Sequence, residues 1–495
     1  MTAPADTRVS LRRMPAWYTT LFLTDLLERF GYYGMQAILV LYAAAPAARG
    51  GLGLATGDAA ALFGAWISTM FLLSLPGGWV GDRVLGQRPA LIAGGLIAGA
   101  GYLCLALPSG WATAIGLVLL ALGGGLFKPN HQAMINMMFG GPRGRESGIS
   151  LMYLGVQGSA LLAPLVTGYL GERVSWHLGF SVASVAVLAT ALLLAVATRQ
   201  FGGVGARPGR PLVAAERRSA LTVTGSVVAA LGVVLLVLWS TGLLRPMAGI
   251  VLTNVLALGV PVLAVVLLHR DRGLGPGDRR RLLGFVAVCL GSALFWMIIA
   301  HAASLLNLFA RDHVDLRVFG FVMPASWLQG ATPVFLLVLA PIVGTVLPGF
   351  GHRYPVAVKL AIGLSLVGGG FLVMAVAALL TEHGGKISPL WLALVYLMHA
   401  AGELVVVAVT VSTAADVLPR PFMGRVLGLL WLFAALGGGV GSGLVRLTAV
   451  VPEPVYYLLL GGAAAVAGVV FAVRRRALSR ALTPDAPADS VTRPS

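Results

Sequence analysis

Charge is scarce in this chain. Asp, Glu, Lys and Arg together make up 11% of its 495 residues, and 58% are hydrophobic, where an ordinary soluble domain carries about 25% charged residues. With a mean hydropathy of +0.89 the polypeptide has too little polar surface to cover itself in water, which excludes a large soluble enzyme. Cysteine is almost absent. Cys104 and Cys289 stand alone in apolar stretches, so neither a disulfide framework nor a metal-ligand spacing can be built from them. Lysine is limited to Lys128, Lys359 and Lys386, so the net charge of +17 is carried by arginine. On a soluble domain that excess would point to nucleic acid through a basic patch. Here it is scattered between apolar runs, and nucleic-acid binding is excluded as the main reading.

What is present is a series of long apolar segments. A bilayer core needs about 20 predominantly apolar residues per helix. Spans are expected near 16–43, 57–81, 89–108, 111–139, 146–170, 175–198, 220–242, 247–268, 282–309, 320–348, 355–379, 388–417, 424–450 and 454–473. The first of these is too long and too polar for a signal-peptide core, and is read as a retained helix. The fold class is therefore an all-α polytopic membrane protein in the lipid bilayer.

Arginine decides the orientation. With the N-terminus inside, the cytoplasmic connections hold Arg83, Arg88, Arg143, Arg145, Arg199, Arg207, Arg210, Arg217, Arg218, Arg270, Arg272 and Arg279, among others. The opposite loops hold only Arg49, Arg173, Arg245, Arg311, Arg317 and Lys386. This is the positive-inside asymmetry, and it places both termini in the cytoplasm and the protein in a cytoplasmic (inner) membrane. Two arginine-rich connections, 199–219 and 269–281, bracket a helix pair without charge. The expected organisation is a six-helix bundle over 1–198, basic linkers and an inserted pair of peripheral structural role over 199–281, a second six-helix bundle over 282–480, and a disordered tail over 481–495. Two six-helix halves around a midplane site are the architecture of major facilitator transporters.

Ionisable residues inside a span are costly, so each is a functional candidate. The first span carries Asp25, Glu28, Arg29, Tyr32, Tyr33 and Gln36. At about 100° per residue they share one stripe about 140° wide, which must face protein or water. Two carboxylates beside one arginine leave surplus acid capacity, and a carboxylate in low dielectric is a plausible proton carrier. The bland alternative is a structural ion-pair cluster. The fourth span holds Lys128 between Gly123-Gly124-Gly125 and Pro129-Asn130. That lysine needs a carboxylate partner or a hydrated cavity, unless it snorkels outward. Glu403 is the lone acid inside the second half, and the seventh span of the two-bundle scheme adds Trp296, His301 and Asn307. A zwitterion with its carboxylate toward Arg29 and Lys128 and its amine toward Glu403 would suit this separation of charge.

These residues carry a resemblance. Asp25 followed by Glu28-Arg29-Phe30-Gly31-Tyr32-Tyr33-Gly34 resembles the first-helix signature of the proton-dependent oligopeptide transporters. Gly77-Gly78-Trp79-Val80-Gly81-Asp82-Arg83 is similar to the loop motif after the second helix, and Lys128-Pro129-Asn130 to that of the fourth. Tyr153-Leu154-Gly155-Val156-Gln157, Phe295-Trp296, Pro324-Ala325-Ser326-Trp327 and Gly402-Glu403-Leu404 resemble further motifs in order. The resemblance implies a symporter that imports di- and tripeptides with protons by alternating access, with no cofactor beyond the coupling proton. It assigns proton handling to Asp25 and Glu28, the peptide carboxylate to Arg29 and Lys128, the peptide amine to Glu403, and the pocket walls to Tyr32, Tyr33, Gln157, Trp296 and Trp431.

The departures are specific. Asp25 stands where the signature has glutamate, Gln157 and Thr332 where it has asparagine, and Phe71 where it has tyrosine. The proton-linked glutamate of the seventh helix falls at Ala300, followed by His301. Either His301 takes over part of the proton or gate role, since imidazole titrates near neutrality, or Asp25 and Glu28 carry the coupling alone. Asp82 and Arg83 sit where a helix enters a cytoplasmic loop and are expected to latch the inward gate. Glycine is 65 of 495 residues, about twice its usual share. Its clusters at Gly94, Gly99, Gly101, Gly437 and Gly441 are expected to bring helices close. The rival readings are a transporter of a non-peptide solute on the same fold and a non-transporting membrane sensor. An enzyme is not expected, because no nucleophile with a base at useful spacing is found.

Overall fold

The computed structural model describes residues 14–139, 142–241, 246–318, 320–419 and 422–483. The expected tail after Thr483 lies outside them. The chain is helical almost throughout, in the order α1 (Ala16–Ala44), α2 (Thr56–Val80), α3 (Gln87–Leu105), α4 (Gly110–Met138), α5 (Pro142–Ala163), α6 (Trp176–Val196), α7 (Ala214–Ser240) and α8 (Pro246–His269). There follow α9 (Pro276–Ile299), α10 (Leu305–His313), a hairpin of β1 (Arg317–Val318) and β2 (Phe321–Val322), α11 (Ala331–Arg353), α12 (Val356–Thr381), α13 (Leu390–Asp416), α14 (Met423–Leu444), α15 (Glu453–Val473) and α16 (Arg475–Leu482). Among the described residues, 11 helices are long and apolar enough to cross a membrane. The 29-residue α1 falls outside that set because of its own polar stripe, and α8 contributes a shorter apolar stretch, Leu258–His269.

Two expected spans are present, as Pro276–His313 and Met423–Ala449, but neither is one uninterrupted α-helix. The segment 282–309 is not one helix: α9 stops at Ile299, the chain tightens through Ala300–Ala303, and α10 starts at Leu305. The segment 424–450 tightens near its end, over Val445–Ala449. α14 stops at Leu444, and Arg446 donates through Nε to Asp58 Oδ1 of α2 at 3.1 Å.

Packing follows the distribution of small residues. In the first half, α3 lies against α4 and α6, α1 against α5 and α6, and α2 against α4; in the second, α12 lies against α15 and α13, and α9 against α14. Gly437 and Gly441 of α14 show why glycine is required at such seams. A Cβ there would lie 2.0 Å from the Ala293 carbonyl oxygen and 2.2 Å from that of Met297, distances no backbone contact tolerates. The halves meet chiefly along α2 with α14 and α5 with α11, and α8 of the inserted pair packs on both α2 and α14.

The side away from the arginine-rich connections is fastened by polar contacts between the halves. Glu172 accepts hydrogen bonds from the backbone N–H groups of Ala325 (2.8 Å) and Ser326 (3.0 Å) and from the Ser326 hydroxyl (2.5 Å). Asn307 Nδ2 donates to the Ala37 carbonyl at 2.7 Å, and Trp327 Nε1 to that of Leu165 at 3.1 Å.

Candidate functional site

The polar stripe of α1 faces two cavities between the halves. The central one, of about 310 Å³, is lined by Arg29, Tyr32 and Tyr33 of α1, Lys128 of α4, Gln157 of α5, Trp296 and Ala300 at the end of α9, Glu403 of α13 and Trp431 of α14. The second, of about 460 Å³, lies one to two turns nearer the arginine-rich side. It is lined by Asp25, Glu28, Arg29, Phe71, Lys128, His131 and Trp431, among others. Arg29, Tyr33, Phe71, Lys128 and Trp431 border both. The expected solute-binding residues, at chain positions from 29 to 431, therefore meet at the central cavity, and Asp25 and Glu28 line the second.

Local sequence explains how the cations are presented. Pro129 inside α4 has no N–H to offer the Gly125 carbonyl, which loosens the helix at Lys128. Asn130 braces the neighbouring turn, its Nδ2 donating to the carbonyls of Leu126 (2.7 Å) and of Gly77 on α2 (3.0 Å). Asn130 is thus a strut between α4 and α2. Lys128 Nζ stands over the Phe71 ring, 4.8 Å from its centroid. Among the described residues no carboxylate lies within 4.0 Å of it, so of the two expected arrangements, a carboxylate partner or a cavity, the lysine has the cavity, with an aromatic face beside it. A ring in this position attracts an ammonium without neutralising it, and the charge stays available to a solute.

Arg29 is differently held. Its Nη2 lies 2.5 Å from Glu28 Oε2, both side chains 7% exposed, and its guanidinium carbon stands 4.7 Å from the centroid of Tyr32. Tyr32 packs edge-on against Tyr33, so the three residues form one rigid wall. Asp25 does not join this pair. Its Oδ1 faces His131 Nδ1 at 3.8 Å, a neighbour the sequence reading missed. The signal was there, since His131 follows Lys128 by three residues and so shares its helix face, but the acid it meets is 106 positions away. Across the cavity Glu403 stands without a cation within 4.0 Å and without a hydrogen-bond partner among the described residues.

Three expected residues do not line either cavity. His301 is fully buried. Its Nδ1 meets the Met297 carbonyl at 2.8 Å and its Nε2 the Tyr456 hydroxyl at 2.7 Å, because the tight turn after α9 points Ala300 at the cavity and His301 toward α15. Asp82 and Arg83 sit in the connection between α2 and α3 and contact the linker that follows α6 and the first turn of α7. Arg83 Nη2 pairs with Glu216 Oε2 at 2.5 Å, and the Asp82 carbonyl accepts from Arg210 N at 3.3 Å. The Asp82 carboxylate holds Gln87 Nε2 at 2.7 Å. Gly86 turns the chain there with φ +89°, and a Cβ on it would lie 2.8 Å from the Gly205 carbonyl oxygen. The connection and the linker therefore interlock.

Taken together, the cavity offers two cations on one wall and one carboxylate on the other, with aromatic faces between. It can hold a small zwitterion, and 310 Å³ is at the low end of ligand pockets, which run from about 300 to 1,000 Å³.

Comparisons with known proteins place the chain among membrane transporters. A family profile described as the POT family matches residues 89–459. An uncharacterized transporter of Bacillus subtilis (strain 168), YclF, is 31% identical over 474 residues, covering 94% of this chain and 95% of that protein. A di-/tripeptide transporter of Lactococcus lactis subsp. cremoris is 28% identical over 473 residues, with 93% and 95% covered. The solved structure of a POT family transporter in complex with 5-aminolevulinic acid superposes with a TM-score of 0.91 at 25% identity, covering 97% of this chain and all of the other.

Proposed function

Because the chain belongs to the POT family of membrane transporters, we propose that it imports di- and tripeptides together with protons by alternating access. The observation that carries the proposal is the central cavity, walled by Arg29 and Lys128 on one side and Glu403 on the other. The peptide carboxylate is received by Lys128, whose charge is free of any carboxylate, with Arg29 beside it. The amine is received by Glu403. Tyr32, Tyr33, Gln157, Trp296 and Trp431 bound the side-chain space. The Lactococcus protein of similar length, named a di-/tripeptide transporter, supports the same substrate class.

The proton is handled by Asp25 and Glu28 in the second cavity. In this proposal His301 positions the broken helix against α15 through Tyr456 and touches neither solute nor open water. The side carrying the arginine-rich connections is cytoplasmic, which puts both termini in the cytoplasm. The contacts of Glu172, Asn307 and Arg446 then close the outer side, and the second cavity is the inner approach to the site. Asp82 and Arg83 act on the gate by holding the linker after α6. In this proposal the chain is two six-helix units, about 1–198 and 282–480, with the inserted pair between them, and α8 packs on both α2 and α14.

The test is uptake of labelled dialanine into liposomes under an inward proton gradient, with and without Glu403→Gln. Gradient-driven uptake that the substitution reduces by tenfold or more is expected. Absence of uptake by folded, reconstituted protein overturns the peptide reading. A second reading then stands, a shorter zwitterion such as an amino-acid derivative. It is favoured by the small cavity and by the neighbour solved with 5-aminolevulinic acid.

A further inference from the structure

We propose that His131 of α4 and Asp25 of α1 form a shared proton-binding pair, and that this pair is a coupling site of the transporter. The inference rests on the proton-coupled reading above and adds to it a residue, His131, that the sequence did not single out.

The tautomer of His131 is set by its surroundings. Its Nε2 lies 3.0 Å from the Leu21 carbonyl oxygen, and a carbonyl only accepts, so Nε2 carries the hydrogen. The ring is held in place by stacking on Phe127, 5.5 Å between centroids at 14°. Nδ1 is left facing Asp25 Oδ1 at 3.8 Å. With no further proton, a nitrogen lone pair opposes a carboxylate. One added proton changes this to an attraction, carried either on Nδ1 beside the carboxylate or on Asp25 facing the lone pair. The separation exceeds hydrogen-bond reach, so the proton is not already committed to a tight bond. It comes from water in the second cavity, which Asp25 and His131 both line, and returns to water on release.

The other groups around the pair leave this role open. On α1, Glu28 is engaged by Arg29, Tyr33 stands a further turn away in the same cavity, and Tyr18 spends its hydroxyl on the Gly148 carbonyl at 2.7 Å. On α4 the nearest charge is Lys128, on the same cavity wall. The linings from α2, α5 and α14 titrate nowhere near neutrality: Phe71 and Ser74, Val156, and Gly428 with Trp431. Imidazole binds and releases a single proton reversibly, so a proton shared between it and the carboxylate can be exchanged with water in the cavity both residues line. A step of α4 against α1 would make or break the pair. Lys128, one turn along α4, would move with it, which ties proton occupancy to the solute site.

The experiment compares the unaltered protein with His131→Gln and Asp25→Asn in liposomes, measuring gradient-driven dialanine accumulation and dialanine counterflow. For His131→Gln, accumulation falls at least tenfold, counterflow falls less than threefold, and the pH dependence of uptake between pH 5 and 8 flattens. An unchanged pH profile, or an equal loss of both modes, overturns the proposal. The same preparations labelled with [15N]histidine give a readout free of transport. The signal lost in His131→Gln identifies the ring, and its titration midpoint shifts by at least half a pH unit in Asp25→Asn. An identical midpoint overturns the pair even where transport is altered. If the unaltered protein accumulates no dialanine, the functional reading fails by itself and the imidazole titration still decides the pair.

Discussion

Arg29 and Glu28 are adjacent in sequence and paired in space, with Nη2 2.5 Å from Oε2 inside the protein. One acid of the α1 stripe is thereby assigned to the arginine, and the other, Asp25, is left to His131. Removing one member of a buried pair strands the other charge, at about 3–5 kcal/mol. Glu28→Gln is expected to lower thermal stability in detergent by about that amount, while Glu28→Gln with Arg29→Gln recovers part of the loss. Melting curves of the two single variants and the double variant measure the coupling. Additive losses would show that the pair contributes nothing as a pair.

His301→Gln tests the other histidine. Its imidazole bridges the Met297 carbonyl and the Tyr456 hydroxyl, so its loss removes a buried hydrogen bond, at about 1 kcal/mol with a further penalty for an unsatisfied partner. A lowered melting temperature with an unchanged pH profile of uptake is expected. A displaced profile would return His301 to the proton path.

Gly437→Ala would drive a Cβ to 2.0 Å from the Ala293 carbonyl oxygen, and the backbone of α9 must move to admit it. Overpacking of this kind costs about 1–3 kcal/mol. Gly438→Ala, where the nearest atom to the new Cβ is Ile67 Cγ2 at 4.0 Å, serves as the control and is expected to melt with the unaltered protein.

The linker contacts on the arginine-rich side carry a pH prediction. The carboxyl of Asp271 is held below its ordinary range by the Gly273 N–H and by Arg425, and that of Glu216 by Arg83 and the Val213 N–H. A depressed carboxyl supports the folded contact at any pH above its ordinary range and loses that support as pH falls through the depressed value. Limited proteolysis of the 199–213 and 269–275 connections is therefore expected to be equal at pH 7 and pH 5. It should rise only below about pH 4, the ordinary carboxylate range. Arg83→Gln and Arg425→Gln should expose the same sites already at pH 7.

Several features were legible in the sequence because their causes are local. Apolar run length and arginine placement marked the spans, and the helical period put Asp25, Glu28, Arg29, Tyr32 and Tyr33 on one face of α1. The scarcity of charge made Lys128 and Glu403 conspicuous. His301 was misleading for an equally local reason: adjacency to Ala300 said nothing about direction, and one tight turn after Ile299 sent the two side chains to opposite sides.

What the sequence by itself determined is the chemistry on offer: a membrane bundle with two cations and two acids in its first half and one acid in its second. What only the tertiary structure decided is how those groups are partnered. That His131 faces Asp25, that Lys128 stands on a phenyl ring at a cavity wall, and that Asp82 and Arg83 hold the chain after α6 all depend on helices far apart in the chain. A side chain's partner in low dielectric is set by distances of a few ångströms between helices. Helical periodicity fixes only the face on which a side chain stands, and helix packing brings those faces together.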